Sequence, residues 1–515
     1  MPGIGADLAE KIATIVKKGA LPLHSQLVKK LSPGVLDLLR IPGLGPKRVK
    51  QLRDRLKVKS AEQLAKALDS GKVGKLPGFG PKMVAKIRAG VGRAEKQERR
   101  WVLHDVEPHA LALVTWMRDG GTVTQIEVAG SYRRRRETVG DLDILVTTTE
   151  PSRTIARFTD YPDAKEVTAR GETRAAIALR GGLQVDLRVV DPDEYGAALL
   201  YFTGSKSHNI ELRQRAIDRG WKLSEYGLFK GERRLAGRTE ADVYGKLELA
   251  EIPPELRESR GEIALAAQGR LPALITRADI RGDLQMHTDA SDGKGQLADM
   301  VAAARALGYA YIAITDHGPR VTMSGQSIKE LRAQWQEIDR LNPTLGGFRV
   351  LKSVEVDILE NGNLDLPEDV LGEADYVVAT IHYGLTQSQD QITARMLNAI
   401  ASPLVDAIGH PTGRIVGKRD GYALDFDAVA TAAAKAGCLL EINGSERMDL
   451  PDTLAAAAKQ AGCRLVLSTD AHDPYELHDM RYAVDVARRA GLVAGDVLNT
   501  RPLAGFLKGL RRARA

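Results

Sequence analysis

Apolar and polar positions change rhythm along the chain, and each rhythm predicts a different kind of element. In the first hundred residues, short helical faces follow turns. Met1-Pro-Gly-Ile-Gly5 precedes Leu8 and Ile12, Ile41-Pro-Gly-Leu-Gly45 precedes Val49 and Leu52, and Leu76-Pro-Gly-Phe-Gly80 precedes Val84 and Ile87. Between the second and third copies, Ser60 to Gly71 has the form of a capped helix with a glycine stop. From Gln97 to Val190 strands alternate with helices. The run Ile126-Glu127-Val128-Ala129, the polar stretch Gly130–Asp143 and the run Ile144-Leu145-Val146 predict strand, tight turn and strand. Leu183 to Val189 alternates strictly, as a half-buried strand does. Tyr195 to Ser259 predicts a smaller α+β unit with a hairpin at Lys222–Tyr226 and Arg234-Leu235. An alanine-rich helical link, broken by Pro253, Pro254 and Pro272, is expected from Pro253 to Thr276. After Arg281 short apolar strands alternate with alanine-rich helices, a pattern of seven strands related to the (β/α)8 barrel plan.

Composition narrows this picture. The chain has 515 residues, 43% hydrophobic and 27% charged, room for several domains with a sizeable core. No apolar run reaches the roughly 18–20 residues of a membrane span, and no signal-peptide pattern opens the sequence, so a membrane partner is not expected. Cys438 and Cys463 sit among apolar residues. Together these features point to a reducing cytoplasm and no disulfide framework. The net charge of +7 is unevenly spread. Residues 1–100 carry 23 Lys and Arg against 8 Asp and Glu, an excess of 15, so everything after them sums to −8. A basic front end of this kind suits a polyanion.

The chemistry concentrates in the polar stretch. On the strand that follows the turn, Asp141 and Asp143 lie two residues apart and share a face, while Leu142, Ile144 and Val146 take core positions. Adjacent carboxylates repel unless a cation sits between them. Asp186, on the polar face of the alternating strand, supplies a third carboxylate. Backbone N–H groups, the Ser131 hydroxyl and arginines in the turn suit a polyphosphate. Three carboxylates on two strands beside a Gly-Ser phosphate turn describe a two-metal nucleotidyl transfer site.

Gly130–Asp143 resembles the G-S-x-R-R…G-D-x-D motif of family X DNA polymerases, and Tyr201-Phe202-Thr203-Gly204-Ser205 resembles that family's Y-F-T-G-S segment. The resemblance implies that Asp141 and Asp143 bind both catalytic ions, Mg²⁺ or Mn²⁺, and that Asp186 binds one and helps activate the primer 3′-hydroxyl. It implies that Gly130, Ser131, Arg134 and Gly140 hold the triphosphate of a dNTP. Tyr201, Phe202, Thr203 and Gly204 would line its sugar, and Asn209 and Arg213 would reach the minor groove. Arg135 stands where the best-known members carry Gly, adding basicity near triphosphate or template. Arg213, Arg215 and Arg219 are expected to face template phosphates.

The repeated Pro-Gly-x-Gly turns resemble helix-hairpin-helix motifs, which grip the DNA backbone without reading sequence. Gly43, Gly45 and Lys47, and Gly78, Gly80 and Lys82, are the expected contacts. The helix that should precede the first copy is missing, so Met1 reads as a truncated or misassigned start. Lys11 matches the Schiff-base lysine of members with deoxyribose-phosphate lyase activity. Without a complete pocket it is expected to be an exposed helix lysine.

In the last half, strand after strand ends in metal-binding residue types: Gln285 and His287 with Asp292, then His317, Glu355, His382 and His410. Glu441 with Asn443, and Asp470 with His472, complete the series. Imidazoles mixed with carboxylates suit two or three Mn²⁺ or Zn²⁺ ions and phosphoester hydrolysis. The pattern resembles the polymerase-and-histidinol-phosphatase (PHP) domain, with matching ligands His287, Asp292, His317, Glu355, His382, His410, Asp470 and His472. Gln285 replaces the first, usually histidine, ligand and is expected to weaken one metal position.

The expected architecture is therefore multidomain. A truncated helix-hairpin-helix remainder (1–35) and a fingers-like DNA-binding region (36–96) lead to an α/β nucleotidyltransferase palm (97–190). A small α+β thumb (191–258), a linker (259–280) and a (β/α)7 PHP barrel (281–515) follow. The resemblance implies a bacterial repair polymerase, acting as a monomer on gapped or primed DNA, whose barrel has 3′–5′ exonuclease, 3′-end-processing or abasic-site endonuclease activity. Its rivals are the same polymerase with a structural barrel, a non-catalytic DNA-end binder, and a template-independent nucleotidyltransferase.

Overall fold

The computed structural model describes residues 38, 41, 44–81, 83–88, 100–321 and 324–511, and the chain divides into two compact units, residues 1–100 and 101–515. Lys11, Gly43 and Lys82 lie outside the described residues.

The first unit is helical. Helices Pro46–Leu56 and Ala61–Asp69 and a helical stretch at 83–88 close around Leu38, Leu44, Leu52, Leu64, Phe79 and Ile87. The sequence repeat is also a repeat of bonding. The Gly45 carbonyl accepts from Arg48 and Val49 N–H at 2.9 and 3.0 Å, and the Gly80 carbonyl accepts from Met83 and Val84 N–H at 2.9 Å each. Pro46 opens its helix where a missing N–H costs nothing. The spacer helix has the expected ends: the Ser60 hydroxyl accepts from Gln63 N–H, and Gly71 follows at φ +70°.

The second unit opens with a five-stranded sheet. Numbered with the short pair β1 (Trp101–Val102) and β3 (Thr138–Val139), its strands are β2 (Gln125–Val128), β4 (Leu142–Thr147), β5 (Ala164–Arg170), β6 (Arg174–Leu179) and β7 (Gln184–Val189), in the order β2-β4-β7-β6-β5. β4 and β7 run parallel while the other neighbours are antiparallel. Leu142, Ile144 and Val146 face one core with helices Leu103–Asp119 and Pro151–Thr159, as expected. Leu145 is buried too, because helix Tyr195–Thr203 covers the opposite face. Gly196 lets that helix press against the following unit: a Cβ there would lie 2.1 Å from the Thr239 carbonyl carbon.

The thumb region holds helix Lys206–Ile217, a three-stranded antiparallel sheet of β8 (Lys222–Ser224), β9 (Gly227–Lys230) and β10 (Arg233–Ala236), and helix Glu240–Lys246. One expectation changes here. The helical link shortens to a 3-10 turn at Pro254–Leu256 and one helix, Glu262–Ala267, because prolines and glycines bracket it. It is packed down: Arg257 is fully buried, and Ile263 and Ala266 enter the thumb core. Arg215 and Arg219 are both bonded within the unit, Arg215 donating to the Leu247 carbonyl at 2.8 Å and Arg219 to the surface carboxylate of Glu248 at 2.8 Å. They anchor the helix to the next segment.

The remaining seven strands form one all-parallel sheet in sequence order: β11 (Gly282–Asp283), β12 (Tyr311–Ile314), β13 (Arg349–Asp357), β14 (Tyr376–Thr380), β15 (Ala407–Ile408), β16 (Leu439–Asn443) and β17 (Leu465–Ser468). Pairing between Met286 and Ala471 all but closes it into a barrel. Apolar side chains fill its lower half, where Phe506 of the C-terminal helix stacks on Tyr311 at 5.1 Å. Polar residues crowd the other end. The barrel and the palm are not separately cored: Tyr482 and Met448, buried residues of the barrel, belong to the palm's apolar cluster. Cys438 and Cys463 are buried and free. Among the described residues no helix is long and apolar enough to cross a membrane.

Candidate active sites

The parallel pairing of β4 with β7 sets Asp143 directly beside Asp186. Asp141 precedes β4 by one residue, on the same side as Asp143. Burial, then the Asp141 charge, then the Asp186 charge push the Asp143 carboxyl up to about 6, while Arg188 opposes them. The three carboxylates thus act on one another electrostatically, as they must to share cations. No metal is needed to explain the fold around them, yet three crowded acids with one arginine nearby leave negative charge that a divalent ion would neutralise.

The tight turn expected in front of them is a single helical turn, Gly130–Arg133. Gly130 sits at φ +64°, and a Cβ on it would come within 3.0 Å of Asp143 Oδ2. Only glycine lets the backbone lie this close to the carboxylate. Arg134 is not free: its Nε donates to Glu258 at 3.1 Å and its Nη1 to the Thr203 carbonyl at 2.5 Å. Arg133 makes a fork with Glu240 at 2.9 and 2.7 Å and also reaches the Thr203 hydroxyl at 2.8 Å. The turn and the Tyr-Phe-Thr-Gly-Ser segment are therefore bonded to each other. On that segment Tyr201 packs edge-on to Phe202, Asn209 Nδ2 donates to the Tyr201 carbonyl at 2.7 Å, and Arg213 lies over the Tyr201 ring at 5.1 Å.

At the barrel mouth, two groups of ligand atoms each fall within 4.8 Å of one another: His287, Asp292, His317 and His472, and His317, Glu355 and His382. Glu355 is the hub. Its carboxylate lies 3.5 Å from His287, 3.1 Å from His317, 3.5 Å from His382 and 3.1 Å from His410. Asp292 reaches His317 and His472 at 3.2 and 3.4 Å, and Asp470 reaches His287 at 3.1 Å. Asp357 receives His382 Nδ1 at 3.2 Å, which turns the opposite ring nitrogen toward Glu355.

Whether a metal suits this set can be judged from its unmet needs. His287 Nδ1, His410 Nδ1 and Gln285 Oε1 are buried without a hydrogen-bond partner, and His317 Nδ1 has only the Glu355 carboxylate, at 3.1 Å. Burial works against charge on His317, but Glu355 and Asp292 raise it to about 11, and Asp292 raises His472 to about 9. The carboxylates around His317 and His472 thus favour positive charge where cations would fit, and the donor set suits divalent metals. Gln285 stands in the middle of it, fully buried, with Nε2 donating to Glu355 at 3.2 Å. Glu441 and Asn443 are supports: burial, then Asp470, push Glu441 up to about 8, where it accepts the His410 N–H.

A relative from Bacillus subtilis (strain 168), DNA polymerase/3'-5' exonuclease PolX, is 37% identical over 99% of this chain and 90% of its own length. The chain belongs to the family X DNA polymerases that carry a PHP domain. It is an enzyme of that family. The DNA polymerase beta palm matches residues 104–176, the DNA polymerase beta thumb 198–258, the PHP domain 283–445 and the SAM-like helix-hairpin-helix tandem 35–93. A probable phosphatase of Thermoanaerobacter sp. (strain X514) is 33% identical over 38% of this chain and 79% of its length, a match confined to a segment of this length. A crystal structure of Leishmania infantum polymerase beta in a ternary P/T complex gives a TM-score of 0.29 at 23% identity, over 44% of this chain and 98% of that one.

Three residues of this family X polymerase went unread in its sequence. Arg188 stacks on Phe202 at 4.5 Å and acts on Asp143. It lies two residues beyond Asp186 on the same strand face, so the alternation held the signal. Asp357 follows Glu355 by the same spacing. Arg447, 3.5 Å from Asp470, comes from the loop after β16, and no local pattern marks it.

Proposed function

We propose that this polymerase fills short gaps in DNA by adding deoxynucleotides to a primer 3′-hydroxyl, and that its barrel hydrolyses 3′ ends. The observation that carries the reading is the adjacency of Asp143 and Asp186 across β4 and β7, with Asp141 close enough to disturb Asp143. Asp141, Asp143 and Asp186 would hold Mg²⁺ or Mn²⁺, and Asp186 would take the proton of the attacking hydroxyl. Gly130, Ser131 and Gly140 would seat the triphosphate by backbone and hydroxyl contacts, with Arg134 released from Glu258 to join them. Tyr201, Phe202, Thr203 and Gly204 would screen the sugar, and Asn209 and Arg213 would flank the nascent pair. Gly43, Gly45, Lys47, Gly78, Gly80 and Lys82 would hold the DNA backbone.

In the barrel, His287, Asp292, His317, Glu355, His382, His410, Asp470 and His472 would bind two or three Mn²⁺ or Zn²⁺ ions. Bound metal at both sites supplies charge neutralisation of the phosphate and a more acidic hydroxyl or water. The barrel's residues would fix one another's orientation, and Arg447, 3.5 Å from Asp470, would supply a positive charge for a phosphodiester oxygen. A bacterial cytoplasm and a monomeric state complete the reading.

A duplex with a one-nucleotide gap tests both halves. Asp186→Ala should abolish extension with dNTP and either Mg²⁺ or Mn²⁺ yet keep Mn²⁺-dependent 3′ hydrolysis, and His317→Ala should do the reverse. Extension by the Asp186→Ala protein would rule out the palm assignment.

A further inference from the structure

The residues between Ser131 and Glu137 are held from three directions, and one of these is the barrel. The helical turn Gly130–Arg133 ends in a two-bond cap, Arg135 N–H to the Tyr132 carbonyl at 2.9 Å and Arg136 N–H to the Ser131 carbonyl at 3.0 Å. Such a cap needs its C′ residue in the left-handed region, which is why glycine usually stands there. Here the residue is Arg135, at φ +53°. An L side chain in that region costs on the order of 1–2 kcal/mol, so something must oppose the turn's tendency to open.

The side chain of Arg135 supplies it. Its Nε and Nη2 meet Asp485 Oδ2 at 2.7 and 2.6 Å, and Nη2 meets Glu107 at 2.7 Å. Asp485 belongs to the barrel helix Met480–Arg489. The same helix sends Tyr482 Oη to Glu107 at 2.8 Å and Arg489 Nη1 to the Arg134 carbonyl at 2.7 Å. A further barrel residue, Arg414, forks onto Glu137 at 2.7 and 3.1 Å. Arg135 is mostly buried and its charge is met by two carboxylates, which favours a structural role over that of a cation for the triphosphate or template.

We propose that Arg135 is a positioning residue for nucleotide addition, clamped by Asp485 so that the barrel helix imposes the shape of the phosphate-binding turn. The proposal rests on the reading that this turn seats the triphosphate. It assigns the barrel a second role, independent of hydrolysis: without the clamp the cap opens, the Ser131 carbonyl loses its partner, and the turn no longer presents its N–H groups together.

Steady-state gap filling by the full chain tests it. Asp485→Ala and Arg135→Lys should each raise the KM for dNTP about tenfold with little change in the KM for DNA or in Mn²⁺-dependent 3′ hydrolysis. Replacing Arg135 by glycine in the Asp485→Ala background should return the dNTP KM to within about threefold of wild type, since glycine adopts φ > 0 unaided. A merely structural loss at the interface would not be repaired by that change. Unaltered KM in both single variants, or no recovery in Arg135→Gly/Asp485→Ala, would overturn the proposal. Should Asp485→Ala fail to fold, the dNTP KM of Arg135→Lys, whose barrel is intact, decides the question. Extension persisting in Asp186→Ala would instead discredit the underlying reading of the palm.

Discussion

Glu240 shows how a single buried residue carries the sign of a pH dependence. Its carboxylate receives both Arg133 and the fully buried Arg257. Burial alone would raise it, but Arg257 and Arg133 outweigh that and hold it at about 2. A carboxyl whose folded pKa is depressed stabilises the fold above its unfolded pKa, and that contribution fades as pH drops from about 4.5 toward 2. Glu240→Gln should therefore cost about 3 kcal/mol at pH 7 and progressively less below pH 4.5, read from urea unfolding at both pH values. An equal cost at pH 7 and pH 3 would refute the pairing. Gln285 makes the opposite kind of case. Its amide donates to Glu355 where a ligand lone pair would serve a cation, and its Oε1 has no partner. Gln285→His should add about one tightly held metal ion per chain by elemental analysis after dialysis against Mn²⁺. No gain would mean that the position lies outside the metal set.

At the scale of elements, the short turn between β2 and β4 governs the palm. Gly130→Ala places a methyl group 3.0 Å from Asp143 Oδ2 on a backbone at φ +64°. That misplacement should lower kcat/KM for gap filling by about tenfold or more while leaving 3′ hydrolysis intact, as primer extension and exonuclease assays on one preparation would show. Near-normal extension would mean that the turn tolerates a shift the geometry disallows. The strands themselves were legible because alternation and burial coincide: Leu142, Ile144 and Val146 pointed to the core, and Asp186 to the open face of β7. The barrel was legible for another reason. Parallel strands align their C-terminal ends, so residues scattered from Gln285 to His472 in sequence fall on one rim. The link after the thumb was misread because alanine content suggests helix, whereas Pro253, Pro254 and Gly261 set where helix can begin.

For the molecule as a whole, the palm and barrel share a core through Tyr482 and Met448 and a polar seam through Glu107, Arg135, Glu137 and Asp485. Parts cored together unfold together. Tyr482→Ala, which empties a buried site and removes the bond to Glu107, should cost about 3 kcal/mol or more. It should lower the temperature at which gap filling and 3′ hydrolysis are lost, by the same amount for both. Loss of one activity well below the other would show that the two parts melt independently.

Local spacing was enough to pick out the three carboxylates, the Gly-Ser turn before them, the repeated Pro-Gly turns and the rim of histidines, because each follows from strand or helix period within a few residues. The fates of Arg134, Arg135, Arg215 and Arg219 were decided only in three dimensions. All four were read as cations awaiting phosphate, and in this structure Glu258, Asp485 and the segment at Leu247–Glu248 bond to them, Arg134 alone being proposed to exchange its carboxylate for the triphosphate. A long flexible cation reports its charge in sequence but not its partner, and Asp485 lies 350 positions from the arginine it holds. For Arg135 that partner is supplied only when the barrel helix packs on the palm and buries Asp485 beside the guanidinium.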